Sequence, residues 1–317
     1  MATTTTHNFN SYDGETVEFT FIKPSGNNLK PLVIYFHPGG FYQGCMNDIF
    51  VPKWDNLRQK LEANDISIAS LEYRLLSNLD PDGLKKPLYD CMSFLQYIRK
   101  NASVFRLKKN KIALLGGSAG ATAAIWIAFS QNMKRIGASG YKDQSTKVTA
   151  VAAMECQATL DVSKWPTDVF NNTINLTCVR NKISEPKLCG YYAATSIQSD
   201  SDLINAYTAY KNNTPAYNPM KGKIKLDHLT LLNKYAPAIW LESDAQPDTL
   251  NCTGMTNANL LHHPKHPLAI YNKIQLVNAN GGALNHIVRI PNMSVDVDSY
   301  NDYSGREVED FLVDRLI

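Results

Sequence analysis

Lys111-Ile112-Ala113-Leu114-Leu115-Gly116-Gly117-Ser118-Ala119-Gly120-Ala121-Thr122-Ala123-Ala124-Ile125-Trp126-Ile127-Ala128-Phe129 is the stretch that decides the fold. A short apolar run over 111–115 reads as a buried strand, and 121–129 reads as an apolar helix. Between them Gly116-x-Ser118-x-Gly120 leaves no room for a loop. A serine there sits on a strained strand-to-helix turn, and the flanking glycines let strand and helix approach closely, which is the pattern of a nucleophile elbow. The alternative for the bare motif is a glycine-rich turn with an incidental serine. The strand before it and the helix immediately after it favour the elbow.

Upstream, the apolar run 32–36 ends in His37-Pro38-Gly39-Gly40. The backbone N–H groups of Gly39 and Gly40 can join that of Ala119 in holding an oxyanion, and glycine suits a position where the backbone itself faces the substrate. An ordinary Pro-Gly-Gly turn is the plainer alternative. Two motifs in the right order, about eighty residues apart, argue for the oxyanion loop. His37 reads as a residue that braces the turn, not as a base.

Outward from these motifs, strand-like and helix-like patterns alternate: strands at 17–22, 66–71, 148–154, 238–241 and 283–290, helices at 54–63, 89–100, 268–278 and 306–316. The alternation favours one α/β unit over residues 1–317. The stretch between the strands at 148–154 and 238–241 is too long for a connecting loop. With its Trp165-Pro166, many Asn and Tyr, and a helical pattern over 201–210, it reads as an inserted cap at about 157–235, folded over the sheet's edge.

The sequence resembles the α/β-hydrolase superfamily, in the carboxylesterase/lipase branch that includes hormone-sensitive-lipase-like and feruloyl-esterase-like enzymes. The resemblance is carried by His37-Pro38-Gly39-Gly40-Phe41, Glu72-Tyr73-Arg74-Leu75, Pro87 with Asp90, and Gly116-Gly117-Ser118-Ala119-Gly120. It implies a mostly parallel central sheet with helices on both faces, Ser118 as nucleophile, and Gly39, Gly40 and Ala119 as oxyanion donors. Pro38 departs from the branch, which usually has glycine there.

The same resemblance places the triad acid just after the strand at 238–241, where an ungapped match meets Gln246-Pro247. Asp248 restores the pattern with a two-residue shift, and Asp244 is the other neighbour. The resemblance expects the base shortly after the last strand, yet no histidine follows residue 290. His286 falls about halfway along that strand, among Leu284, Val288 and Ile290, where a satisfied core histidine is the usual case. The turn His262-His263-Pro264 precedes the helix 268–278, which must run back from the carboxyl end of the sheet, so the turn belongs at the end where Ser118 lies. His263, with His262 beside it, is therefore the expected base and Asp248 the expected acid.

The chain has 317 residues, a net charge of +3 and 19% charged residues, without a run of like charges. Nothing there suggests a nucleic-acid partner. The longest mostly apolar stretch, 121–129, is far short of a membrane span, and residues 1–10 lack the basic and apolar regions of a secretion signal. A cytoplasmic protein without a membrane anchor is expected. Six cysteines without a paired C-x-x-C argue against zinc, and they are expected to be reduced. The sequons Asn175-Leu176-Thr177 and Asn251-Cys252-Thr253 point weakly toward the secretory pathway and are discounted, because Asn-rich chains produce such triplets by chance. No cofactor or metal is implied. The function expected is a serine hydrolase acting on a small-molecule carboxylic ester, with an apolar or aromatic acyl group suggested by the cap's composition. The rivals are a hydrolase-fold protein that only binds a small molecule, and an acyl-transfer or biosynthetic enzyme on the same fold. The sequence gives no sign of oligomeric state.

Overall fold

Every residue of the strand Lys30–Phe36 (β3) is buried, because it lies in the middle of a sheet covered on both faces. In a computed structural model, which describes all residues except 1, 213–223, 248–252 and 301–303, this strand pairs in parallel with Ser67–Leu71 (β4) and Leu107–Gly117 (β5). The parallel ladder continues through Ala150–Met154 (β6), Ala238–Glu242 (β7) and His286–Ile290 (β8). Thr3–Asn10 (β1) and Thr16–Lys23 (β2) add antiparallel strands at one edge, and Val295–Asp298 (β9) adds one at the other. Among the described residues the order is β1-β2-β4-β3-β5-β6-β7-β8-β9.

Alternate strand residues face two apolar layers. Val33, Tyr35, Ala113, Leu115, Ala152 and Trp240 pack with the helices Asp55–Ala63 (α1) and Val308–Leu316 (α10). Ile34, Phe36, Leu114, Val151 and Leu241 face the layer that contains Lys85–Lys100 (α2) and Ala119–Phe129 (α3). Every residue of α3 is buried, as an all-round apolar helix requires. At the carboxyl ends Phe36 pairs with Gly116, Gly117 with Met154, and Met154 with Glu242. The loops after these strands therefore converge on one rim.

Between β6 and β7 lie Leu176–Lys182 (α4), Glu185–Tyr192 (α5), Asp200–Asn212 (α6) and His228–Leu231 (α7). This stretch places Leu160, Val162, Trp165 and Tyr191 around Ser118 at the carboxyl rim. After β7 come Asn257–Leu261 (α8) and Lys265–Ala279 (α9).

Several expectations are corrected. His286 is the first residue of β8, not its middle, because Asn278 accepts a hydrogen bond from the Leu284 N–H and holds residues 283–285 in a loop. The cysteines are not all reduced: Cys45, Cys91, Cys156 and Cys189 are free, whereas Cys178 on α4 is disulfide-bonded. No described helix is long and apolar enough to cross a membrane.

Candidate active site

Ser118 has φ 51° and ψ −116°, outside the regions a serine ordinarily adopts. The turn is held on both sides: the Ser118 N–H donates to Met154 O (2.8 Å), and Ser118 O accepts from the Thr122 N–H (2.9 Å). The flanking glycines are dictated by contact. A Cβ on Gly120 would lie 2.0 Å from Phe36 O, and one on Gly116 would lie 2.3 Å from the Gly120 carbonyl carbon. Side chains there would force α3 off the sheet.

The loop after β3 carries two left-handed glycines, Gly39 (φ 117°) and Gly40 (φ 64°). A Cβ on Gly39 would meet Gln43 O at 2.0 Å. Neither glycine N–H, nor that of Ala119 at the start of α3, donates to an acceptor among the described residues. His37 braces this loop: its Nδ1–H donates to Pro38 O (2.8 Å), its ring stacks on Tyr73 at 3.9 Å, and the Tyr73 hydroxyl donates to His37 O (2.7 Å). Burial holds its pKa below the usual histidine value. Tyr191 on α5 reaches the loop as well, its hydroxyl donating to Gly40 O (3.2 Å).

The imidazole that meets Ser118 belongs to His262, whose Nε2 lies 2.8 Å from Ser118 Oγ. His263, the residue expected there, is turned into the core with 1% exposure. Its Nδ1 accepts from the Lys265 N–H (3.1 Å), and its ring packs against Phe170. Neighbours at a helix end point about 100° apart, so only one of two adjacent histidines can face the serine. His286 is not part of the site: its Nδ1–H donates to Leu284 O (2.8 Å) and its ring packs on Tyr271.

His262 closes α8, a five-residue helix whose first turn is capped by Thr256 accepting from the Asn259 N–H. Its own N–H donates to Ala258 O (2.9 Å). Burial lowers its pKa, Glu155 works against that shift, and Lys53 adds to it. A neutral imidazole at neutral pH follows, which is the form able to take a proton.

Asp248 lies outside the described residues. Asp244 donates its N–H to Glu155 Oε1 (2.9 Å), and its carbonyl accepts from Asn292. No described carboxylate hydrogen-bonds His262. Glu155, directly after β6 at φ 56°, also accepts from Ser243 Oγ (2.8 Å). Glu155 and Gln157 were not singled out from sequence. The available signal was their position directly behind β6, the strand beside the elbow strand.

Beside Ser118 is a cavity of about 20 Å³ lined by Gly40, Phe41, Ala119, Leu160, Trp165 and Tyr191 among others. A wider hollow of about 300 Å³ lies at the ends of β7 and β8 among Glu242, Asp244, Arg289 and Glu307, without Ser118 on its walls. Among the described residues no group of His, Cys, Asp and Glu is placed to hold a metal ion.

The BD-FAE family profile matches residues 20–244, more than two-thirds of the chain. No curated protein matches. Among solved structures, a truncated carbohydrate esterase from gut microbiota superposes with TM-score 0.59 at 12% identity, covering 98% of this chain and 96% of that one. A fungal esterase from Rhizomucor miehei gives 0.54 at 17% identity, over 100% and 83%. The Pyrobaculum calidifontis esterase gives 0.52 at 16%, over 91% and 75%. At such identities these likenesses establish the fold, and with the profile match over β2 to β7 the chain belongs to the BD-FAE family, a carboxylesterase branch of the α/β-hydrolase superfamily.

Proposed function

We propose that the protein is a serine esterase that cleaves carboxylic esters with a short acyl group. The observation that carries this reading is the 2.8 Å approach of His262 Nε2 to Ser118 Oγ on a strained elbow. In the proposed reaction Nε2 takes the hydroxyl proton as Oγ attacks the ester carbonyl, and the N–H groups of Gly39, Gly40 and Ala119 hold the resulting oxyanion. His262 returns the proton to the departing alcohol oxygen as the C–O bond breaks. Water, deprotonated by the same nitrogen, then cleaves the acyl-enzyme. Asp248 is the proposed orienting acid, and Glu155 contributes negative charge nearby.

The cavity of about 20 Å³ supports the short acyl group, since it holds roughly one water-sized group and its walls are mainly apolar or aromatic. A fluorophosphonate probe with mapping of the label tests the nucleophile: Ser118 should be modified, and a folded sample without labelling would favour a protein that only binds a small molecule. A p-nitrophenyl ester series tests the acyl site. Acetate should be turned over at least tenfold faster than octanoate, and equal rates would remove the short-chain assignment.

A further inference from the structure

The base of this site stands on a short helix, and no described residue bonds its second ring nitrogen. Besides the orienting acid proposed above, its aim depends on the backbone beneath it. A five-residue helix does not hold itself in place, and its last carbonyls need partners from elsewhere. Here two buried side chains supply them. His266 Nε2–H donates to Leu260 O (3.1 Å), and Gln157 Nε2–H donates to Leu261 O (2.8 Å), the carbonyl directly before His262.

We infer that Gln157 is the positioning residue for His262, an inference that rests on His262 being the base. Gln157 is buried, and both ends of its amide are used. Its Oε1 accepts from Thr122 Oγ1 (2.6 Å), and the Gln157 backbone N–H donates to Thr122 Oγ1 (3.2 Å). Thr122 sits one turn into α3, and its N–H is bonded to Ser118 O (2.9 Å). One amide therefore links the nucleophile's helix to the base's turn, which are 144 residues apart in the chain.

The amide's direction is fixed by the Leu261 carbonyl, which can only accept and so must meet the NH₂, leaving Oε1 toward the Thr122 hydroxyl. The backbone of Gln157 is held in turn, its carbonyl accepting from His228 Nδ1–H (3.0 Å). Methionine at 157 would keep the volume and lose both bonds. Glutamate would set a carboxylate against the Leu261 carbonyl.

The test compares Gln157→Met, Thr122→Val and His262→Ala with wild type on p-nitrophenyl acetate, with kcat expressed per fluorophosphonate-titrated Ser118. Gln157→Met should lower kcat about 10²-fold with KM within about threefold, because a small misplacement of a base costs that much. Thr122→Val, which leaves the amide present but unoriented, should cost about tenfold. A merely structural role would reduce the titrated fraction and leave kcat per site unchanged, and that result overturns the inference. If Gln157→Met does not fold, the kcat of Gln157→Glu decides in the same way, since Thr122→Val also removes a contact to Ser118 O (2.9 Å). His262→Ala separates the two readings. With that variant dead and Gln157→Met at full kcat, only the positioning role falls; with His262→Ala still active, the base assignment and the positioning role fall together.

Discussion

Acid should destabilise this protein through its buried histidines, and His228 makes the size of the effect calculable. Its side chain is fully buried, and burial pushes its pKa down to about 4; His266, likewise buried, is pushed down to about 3. In the unfolded chain both titrate near 6.5. Between pH 6.5 and 4 the unfolded state therefore binds two protons that the folded state refuses, so their contribution is complete above pH 6.5 and is lost as pH falls. Each proton corresponds to about 1.4 kcal/mol per pH unit, so at pH 4.5 each histidine costs about 2.5 kcal/mol and the pair about 5, comparable to a domain's whole stability. The buried carboxyls of Asp90 and Glu242, whose pKa values burial raises, work in the opposite direction. The clean quantity is thus a difference between variants. His228→Asn keeps a donor near the place of Nδ1 and removes the titrating group. Urea unfolding at pH 6, 5.5 and 5 should show a stability slope smaller by about 1.2 kcal/mol per pH unit in the variant than in wild type, somewhat under the full-proton limit because the unfolded histidine is still partly neutral at pH 6. Equal slopes would refute the reasoning, whatever the absolute stabilities.

Three further outcomes are expected. His262→Ala should lower kcat/KM by about 10³ or more, while His263→Ala should act mainly on melting temperature, and the acidic limb of the wild-type kcat/KM profile should lie below pH 6.5 because burial lowers the pKa of His262. Gly120→Ala should cost about 3 kcal/mol or more in chemical unfolding, since its Cβ meets Phe36 backbone on a packed face, whereas Gly117→Ala, whose Cβ would meet nothing nearer than Pro38 Cβ at 3.8 Å, should cost less than about 1. Asp90→Ala should destabilise by about 3 kcal/mol, because the buried Asp90 accepts from Arg74 Nε, Nη2 and backbone N–H and from Ser11 Oγ, and its loss leaves the guanidinium with Asp13 alone.

What the sequence disclosed follows the range of the interactions that encode it. The elbow and the oxyanion loop were legible because each is a local string whose glycines answer steric demands within a few residues, as the 2.0 Å clashes at Gly39 and Gly120 show. The central strands were legible because burial on both faces writes a continuous apolar run. β1 was not, since an edge strand of mostly exposed Thr and Asn carries no such run. The choice between His262 and His263 depended on the phase at which α8 ends, and a five-residue helix gives too little periodicity to fix it. Gln157 was invisible for another reason: the partners that matter to it, Thr122 and Leu261, are distant in sequence, and an isolated glutamine carries no pattern.

The location of the proposed base before β8, and not after it, has a consequence for how the molecule is made. Ser118, the oxyanion loop and His262 have all been synthesised by the time the ribosome passes residue 262, yet the face of β5 that carries Ala113 and Leu115 is still without α10, whose Phe311 and Leu312 pack in the same layer. At ~5–20 residues per second that surface stays open for roughly ten to forty seconds after Leu115 is added. The nascent chain thus holds every group proposed for the chemistry while part of its sheet is still uncovered, a period in which a chaperone or another nascent chain competes with α10 for the same apolar face.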